Sequence, residues 1–434
     1  MKILHVVSGY LPQDSGGTQM HVRDLCAAQR RLGHEVGIFT RQGGTGAEHL
    51  SVVHDEWEGV PVARLNNDFV DVDRFELLFS HPVIDRRFGE HLRAFRPDLV
   101  HVHHLTCLST SMVDVARRAG LPVVMTLHDY WMVCPRGQRI HPDDLSICAE
   151  LDRRRCLPCL QALWPHLLPR GPARGLLGRL LGRASSAELL RAWERRMHAV
   201  LDACDATISP SRFHRDRFVE WGLDPRRARV VTHGLPRAEL EAEPRGTRPV
   251  RSIGYVGTVI PSKGIHVLVD AFVALGRPEL RLDVHGEAPS FHGQVSYVDE
   301  LRGRVPAGLD VRFHGRYENR DLPAVLAGLD VVVVPSLWWE SFCLTAREAA
   351  LAGRPVVGSR LGGVGEAVED GLALGFAPGD AADLAAVLAR LVDDPALRDG
   401  YSRKGGLVRD LDDCARETLE VYRAVLGVGA GEGA

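Results

Sequence analysis

An α/β protein with two doubly wound parallel-sheet domains is what this chain predicts, on three observations. Its 434 residues exceed one ordinary core, so two domains are expected. Short β-branched runs alternate with helical stretches through both halves, the pattern of parallel strands covered by helices on both faces. The third observation is the stretch DVVVVPSLWWESFCLTARE, Asp330 to Glu348. Val331 to Val334 read as a strand buried on both faces. Pro335 and Ser336 stop it, and helix formers begin at about Phe342 and run to Gly353 and Pro355. Glu340 then stands on the loop at the strand's C-terminal edge, and Glu348 lies further along the helix. The amides of Phe342, Cys343, Leu344 and Thr345 fall between them at the helix N-terminus.

That constellation suits a nucleotide-sugar. An ionised carboxylate accepts two hydroxyl hydrogen bonds from one sugar, and a helix N-terminus offers amides and a positive dipole end to a diphosphate. The plain alternative is a surface glutamate plus a helix-stabilising one, and the strand–loop–helix context weighs against it.

Composition narrows the class. Apolar and charged fractions of 45% and 25% are average for a globular protein, and a net charge of −3 excludes a global polyanion-binding role but not a local basic face; no nucleic-acid partner is expected. No run of about 18 apolar residues exists to span a membrane. The N-terminus MKILHVVSGY lacks a cleavage site and reads as a first buried strand, so a cytoplasmic protein is expected. The only lysines are Lys2, Lys263 and Lys404. In a chain that otherwise uses arginine, a loop lysine hints at a task for a compact ammonium.

Taken in order, Lys2 to Ser8 is a strand, followed by a glycine-bearing loop to Gly17 and a helix from about Thr18 to Leu32. Strand, glycine loop and helix form the anion-cradling unit of doubly wound folds. His21 on that helix is a site candidate or a capping or core residue. Further strands are expected at His34–Thr40, Leu99–His103, Val123–His128, Ala206–Ser209 and Val230–Thr232, with helices at Ser111–Ala119 and Arg212–Trp221. His103, His104, His128 and Asp129 thus lie at the C-terminal strand ends where ligands collect. Asp71 and Asp73 form a D-x-D in a polar connection and read as solvated. Cys134, Cys148, Cys156 and Cys159, spaced C-x13-C-x7-C-x2-C, interrupt the rhythm. In a reducing compartment such clustering favours a closed, four-thiolate structural zinc over disulfides; the other reading is four reduced cysteines in an irregular loop. The acid-free stretch Leu163–Arg183 suits an interfacial helix on anionic lipid, and with it peripheral contact at the inner face of a membrane, or a mobile acceptor lid. Pro236–Pro249 reads as a linker. Strands are expected at Arg251–Val256, Leu280–Gly286, Val311–Gly315 and Val356–Ser359, with a helix at Ile265–Leu275 and an amphipathic one at Asp412–Leu426.

Asp330 to Glu348, followed by GRPVVGSRLGGVGEAV, resembles the donor site of retaining glycosyltransferases of family 4, of GT-B architecture, and the resemblance covers nearly the whole chain. It implies an acceptor-side domain over 1–240 with a Cys-rich insertion at about 130–186, a donor domain over 249–411, and a helix at 412–426 returning to the first. It implies that Gly16 and Gly17 lie beside the donor phosphates and that His128, in TLHDYW, reaches the donor sugar. Lys263 matches the lysine of the family's G-R-x-x-x-x-K-G, which holds the diphosphate, while Thr258 stands where that motif has arginine. Arg316 and Tyr317 fall where relatives meet the nucleobase, Glu340 on the sugar hydroxyls and Glu348 on the ribose. Catalytic positions are accordingly His128, Lys263 and Glu340. The implied activity is transfer of a hexosyl-type group from a UDP- or GDP-sugar to an acceptor (glycan, lipid-linked or small metabolite) with retention of configuration. No catalytic metal is implied. Two other classes stay open: a GT-B nucleotide-sugar epimerase, and a non-catalytic sugar-nucleotide binding protein.

Overall fold

The computed structural model describes residues 1–168, 185–291 and 296–428; most of the Leu163–Arg183 stretch, with its lipid or lid reading, lies outside them. Among the described residues two sheets form. The first has the order β3-β4-β2-β1-β5-β6-β7-β8. Its strands are β1 Lys2–Val7, β2 Glu35–Gln42, β3 Val52–Trp57, β4 Val60–Asn66, β5 Leu99–Val102, β6 Val123–Thr126, β7 Ala206–Ser209 and β8 Ala228–Val230. The second has the order β11-β10-β9-β12-β13-β14, from β9 Ser252–Val256, β10 Arg281–His285, β11 Asp310–Gly315, β12 Val331–Val334, β13 Val356–Ser359 and β14 Leu374–Phe376. Every pairing is parallel except β3 with β4.

The strand order explains where the motifs meet. It reverses between β1 and β5 in the first sheet, and between β9 and β12 in the second. Doubly wound sheets bind ligands outside the C-terminal strand ends at such switch points. The loops that leave β1, β9 and β12 carry Gly16–Gly17, Lys263 and Glu340.

One expected strand takes new bounds, and one hairpin was not expected. β8 ends at Val230 rather than beginning there, since polar Thr232 and His233 already belong to the following loop. The β3–β4 hairpin went unseen because β3 is an exposed edge strand with His54, Asp55 and Glu56 at its centre; Glu58 and Gly59, both with positive φ (50° and 77°), make its turn. The Pro236–Pro249 stretch, read as a linker, carries structure of its own. It contains the turn of helix Arg237–Leu240, and its Arg245 pairs with buried Asp330.

The last helix, Leu411–Leu426, lies against helix Gly17–Arg31 of the first sheet's layer. Arg31 bonds Asp412 at 2.5 Å, and Tyr422 is fully buried beside Gln29. The loop after β12 crosses the other way. Trp338 and Trp339 leave their own sheet and pack into the first domain's core, with Trp339 against Phe213, Trp221 and Tyr130 at ring distances of 5.7, 6.4 and 6.2 Å.

Candidate active site

The site starts from an approach of two loops. Leu337 N donates to Ser262 O at 2.9 Å, pinning the loop after β12 to the turn that carries Lys263. Gly264 has φ +73°, and a Cβ there would stand 2.0 Å from the Pro335 carbonyl oxygen, so only glycine permits the contact. Lys263 Nζ consequently lies 2.6 Å from Glu340 Oε1. Ser336 Oγ and Trp338 Nε1 donate to the same oxygen at 2.7 and 2.9 Å, while Oε2 takes no hydrogen bond among the described residues. Burial acts to lower the Lys263 ammonium, but the Glu340 carboxylate, with Cys343 nearby, holds it above the ordinary lysine value. Sequence reasoning gave these two residues separate partners; here they are partners of each other.

The helix between the two glutamates begins later than expected. It spans Leu344–Leu351, and Cys343 caps it in the left-handed region at φ +71°. Phe342 and Cys343 therefore precede the helix, and their carbonyls face the buried Arg347 guanidinium, which also reaches Gly363 O and stacks 3.9 Å over the Phe342 ring. Leu344 and Thr345 supply the first unpaired helix amides. Opposite them stands the glycine loop. Gly16 caps helix Gly17–Arg31, a Cβ on Gly17 would touch Leu344 Cδ1 at 3.3 Å, and Asn319 Nδ2 bonds Ser15 O at 3.2 Å. Two helix N-termini, one from each domain, thus share one space.

Beside them a cavity of about 390 Å³ is lined by His21, Asp24, Asn319, Arg320, Leu344 and Glu348, among others. Burial, and then the Asp24 carboxylate across the cleft, pushes Glu348 up to about 7. Asp24 itself rises to about 6 by burial, against the pull of Arg23. Tyr317 is half-buried at the edge of the second sheet's core and raised to about 12 by burial and by Glu348. Arg316 points elsewhere, exposed and 4.0 and 3.7 Å from Glu287 and Glu318. Thr258 is exposed; its carbonyl accepts from the Tyr255 hydroxyl at 2.7 Å and the Ile260 amide at 3.2 Å, and among the described residues its side chain has no partner. Asp24, Asn319, Arg320 and Arg347 were not singled out from sequence; each lies a few residues from a motif residue, but no spacing rule points to them.

His128 lies on the first-domain side of the same space. Its carbonyl accepts from Ser341 Oγ at 2.6 Å, and Ser211 Oγ donates to Ser341 O at 2.6 Å. Glu366 accepts from the Arg212 and Phe213 amides at 3.2 and 2.8 Å, capping a first-domain helix with a second-domain carboxylate. His21 stacks on His233 at 3.7 Å between ring centroids, and His233 sits 5.2 Å from Phe342.

The four cysteines of the insertion line one cavity of about 300 Å³ together with Arg139. No three of their sulfurs lie within 4.8 Å of one another, so the thiols are neighbours without a closed tetrahedral arrangement. Asp71 is not merely solvated, since it accepts from His49 and His81 at 2.8 and 3.0 Å. No helix among the described residues is long and apolar enough to cross a membrane.

The profile of Glycosyltransferase Family 4 matches residues 15–239, and that of Glycosyl transferases group 1 matches residues 250–394. The chain belongs to glycosyltransferase family 4. This glycosyltransferase is 29% identical to glycogen synthase of Mycobacterium tuberculosis (strain ATCC 25618 / H37Rv), over 98% of this chain and 95% of that protein. It is 26% identical to the MMP alpha-(1->4)-mannosyltransferase of Mycolicibacterium hassiacum, over 96% of each. Its fold is GT-B. Sucrose-phosphate synthase from Thermosynechococcus elongatus superposes with a TM-score of 0.70 at 18% identity, covering 99% of this chain and 100% of that one. Anabaena HepE in complex with UDP gives 0.68 at 19%, covering 98% and 100%.

Proposed function

We propose that this glycosyltransferase moves a hexosyl group from a nucleoside diphosphate sugar, UDP- or GDP-linked, to an acceptor hydroxyl with retention of anomeric configuration. The observation that carries the reading is the Lys263–Glu340 pair beside two facing helix N-termini. Amides and an ammonium suit a departing diphosphate, and Glu340 Oε2 remains to accept sugar hydroxyls. His128 faces the sugar from the first domain, and Gly16, Gly17, Leu344 and Thr345 flank the phosphates. Tyr317 and Glu348 take the nucleoside side. Retention follows from the family resemblance, and HepE's UDP complex supports the donor class. Catalysis is then positioning plus stabilisation of leaving-group charge. A thermal-shift screen with UDP, GDP, ADP and dTDP tests the donor, because a cognate nucleotide stabilises by mass action. Donor consumed only in the presence of acceptor separates transfer from epimerisation and from simple binding.

Glu348 gives a pH-sensitive test. Its carboxyl titrates at about 7, so it is largely protonated at pH 6 and ionised at pH 8. A ribose hydroxyl donates to the ionised form, so nucleotide affinity should rise with pH through that window, and binding at pH 6 should release a proton. Glu348→Gln should weaken nucleotide binding by about 1.5–3 kcal/mol at pH 8 and flatten the dependence. Calorimetry showing equal affinity for both proteins removes Glu348 from the site.

In the insertion, we also assign a structural zinc to Cys134, Cys148, Cys156 and Cys159. What supports it is their shared cavity and Arg139, whose buried guanidinium has, among the described residues, no carboxylate partner and an unbonded Nε; a tetrathiolate dianion would balance that charge. The sulfurs must draw together around the ion. Purified protein should carry about one zinc per chain, and chelation should lower the melting temperature. Metal-free protein with four titratable native thiols refutes the assignment.

A further inference from the structure

A chain of buried imidazoles runs beneath the site. His128 Nε2 meets His103 Nδ1 at 3.0 Å, His103 Nε2 meets His5 Nδ1 at 2.9 Å, and His5 Nε2 meets Gln29 Oε1 at 2.8 Å. Gln29 Nε2 donates to the Tyr422 hydroxyl at 3.2 Å. That hydroxyl bonds His101 Nδ1 at 2.5 Å, and His101 Nε2 ends the path on Thr126 Oγ1 at 2.7 Å. A neutral imidazole has one N–H and one lone pair, so placing one proton on this path places all of them. With the Gln29 carbonyl toward His5, each ring of the trio passes its Nε2 proton inward, and His128 Nδ1 shows a lone pair to the cleft. With the amide turned round, every sense reverses and His128 shows an N–H. A mixed arrangement would set two protons or two lone pairs face to face in the core, at a cost of about 1–3 kcal/mol.

We propose that His103, His5, Gln29 and Tyr422 are positioning residues that lock the tautomer His128 presents to the cleft. Two features support a lock rather than a proton relay. A histidine that works as a base needs a group to hold its imidazolium, as the aspartate does in a Ser-His-Asp triad; here the three imidazoles run into the Gln29 amide, which cannot pass a proton through. Asp129 neighbours His128 in sequence, but its side chain bonds His104 and the Trp131 amide. The other groups facing His128 are His21, His104, His214 and His233, with Arg347 behind His233; His101 also faces His103. None of these groups supplies a negative charge that would hold an imidazolium at His128. Burial accordingly lowers His5 to about 4 and takes His101, His103 and His128 well below the usual imidazole range.

The inference rests on the reading in which His128 faces the donor sugar, and its test is chosen to fail separately. Long-range ¹H–¹⁵N spectra of the full chain, labelled at histidine, report each ring's tautomer without any turnover. His5, His103 and His128 should all be neutral and of one sense from about pH 8 to 5.5, where unperturbed histidine would titrate. Gln29→Glu keeps the shape but adds a charge. An imidazolium should then appear at His5, and the pH profile of kcat, without a ladder inflection in the parent, should acquire one. Tyr422→Phe frees the amide to turn, so mixed tautomers and a roughly tenfold fall in kcat, equivalent to about 1.4 kcal/mol, are expected with donor KM unchanged. Opposed senses in the parent, or an imidazolium among the three rings, overturn the lock. So does a stoichiometric ion on His5, His101 and His103, whose nitrogens lie within 4.8 Å, because it would take lone pairs the ladder uses. If Tyr422→Phe only lowers the melting temperature, with tautomers and kcat intact, the network is structural and the proposal fails. Absence of turnover with every donor would sink the transfer reading while the spectra still decide the ladder.

Discussion

Lys263→Ala should cut turnover by roughly a hundredfold or more, the scale of losing one electrostatic stabiliser, while donor binding weakens much less. Charge on the leaving diphosphate grows as the sugar–phosphate bond breaks, so a fixed ammonium matters more in the transition state than in the ground state. Thr258 stands where the family's motif has a second cation, and its side chain is uncharged and exposed. The variant also strips Glu340 Oε1 of its charged partner, leaving Ser336 and Trp338 to hold it. Lys263→Met therefore serves as a companion that keeps the stem's packing near Trp338, and Thr258→Arg should partly restore Lys263→Ala if the loop has room. Steady-state kinetics with the cognate donor and acceptor decide the matter. Near-normal turnover in Lys263→Ala would place the diphosphate elsewhere.

Trp339→Ala should destabilise the folded chain by about 3–5 kcal/mol, the range for removing a buried tryptophan. Trp339 is 8% exposed and belongs to the second domain by sequence, yet its contacts are Phe213, Trp221 and Tyr130 of the first. Arg217 adds its guanidinium 5.7 Å over the ring. Losing that anchor should uncouple the domains, so chemical denaturation is expected to split into two transitions where the parent shows one. Trp339→Phe should retain most of the coupling. A single transition at the parent's midpoint in Trp339→Ala would mean that the ring carries little of the interface.

What could be read from sequence was local. The run Val331–Val334, its proline stop and the helix formers after it gave the strand, loop and helix to within two residues, because each signal lies inside one short window. Helix Ile265–Leu275 and strands Ala206–Ser209 and Val356–Ser359 came out with the observed bounds for the same reason. The edge strand Val52–Trp57 did not, since a strand exposed along most of its length carries no buried alternation. The site's cross-domain pairs were out of reach altogether. Ser211 meets Ser341 across 130 positions and Arg212 meets Glu366 across 154, and neither spacing nor propensity encodes such partners. Asp24 facing Glu348 belongs to the same class; periodicity placed each on a helix but could not place the helices against each other. Cys343 in the left-handed region was missed because that region favours glycine, and nothing in the local run asks for it.

The return of helix Leu411–Leu426 to the first domain has a consequence for biosynthesis. Tyr422 meets His101 across 321 positions and Gln29 across 393. Domains of a growing chain generally fold in order as they leave the ribosome, over tens of seconds for a chain of this length at about 5–20 residues per second. Throughout that interval the nascent first domain would hold Gln29 and His101 without their shared hydroxyl, beside an uncovered apolar strip on helix Gly17–Arg31. Such a half-made surface is what holdase chaperones recognise. Ribosome-stalled chains ending before residue 411 should therefore be more protease-sensitive around Gln29 than those that have released Tyr422.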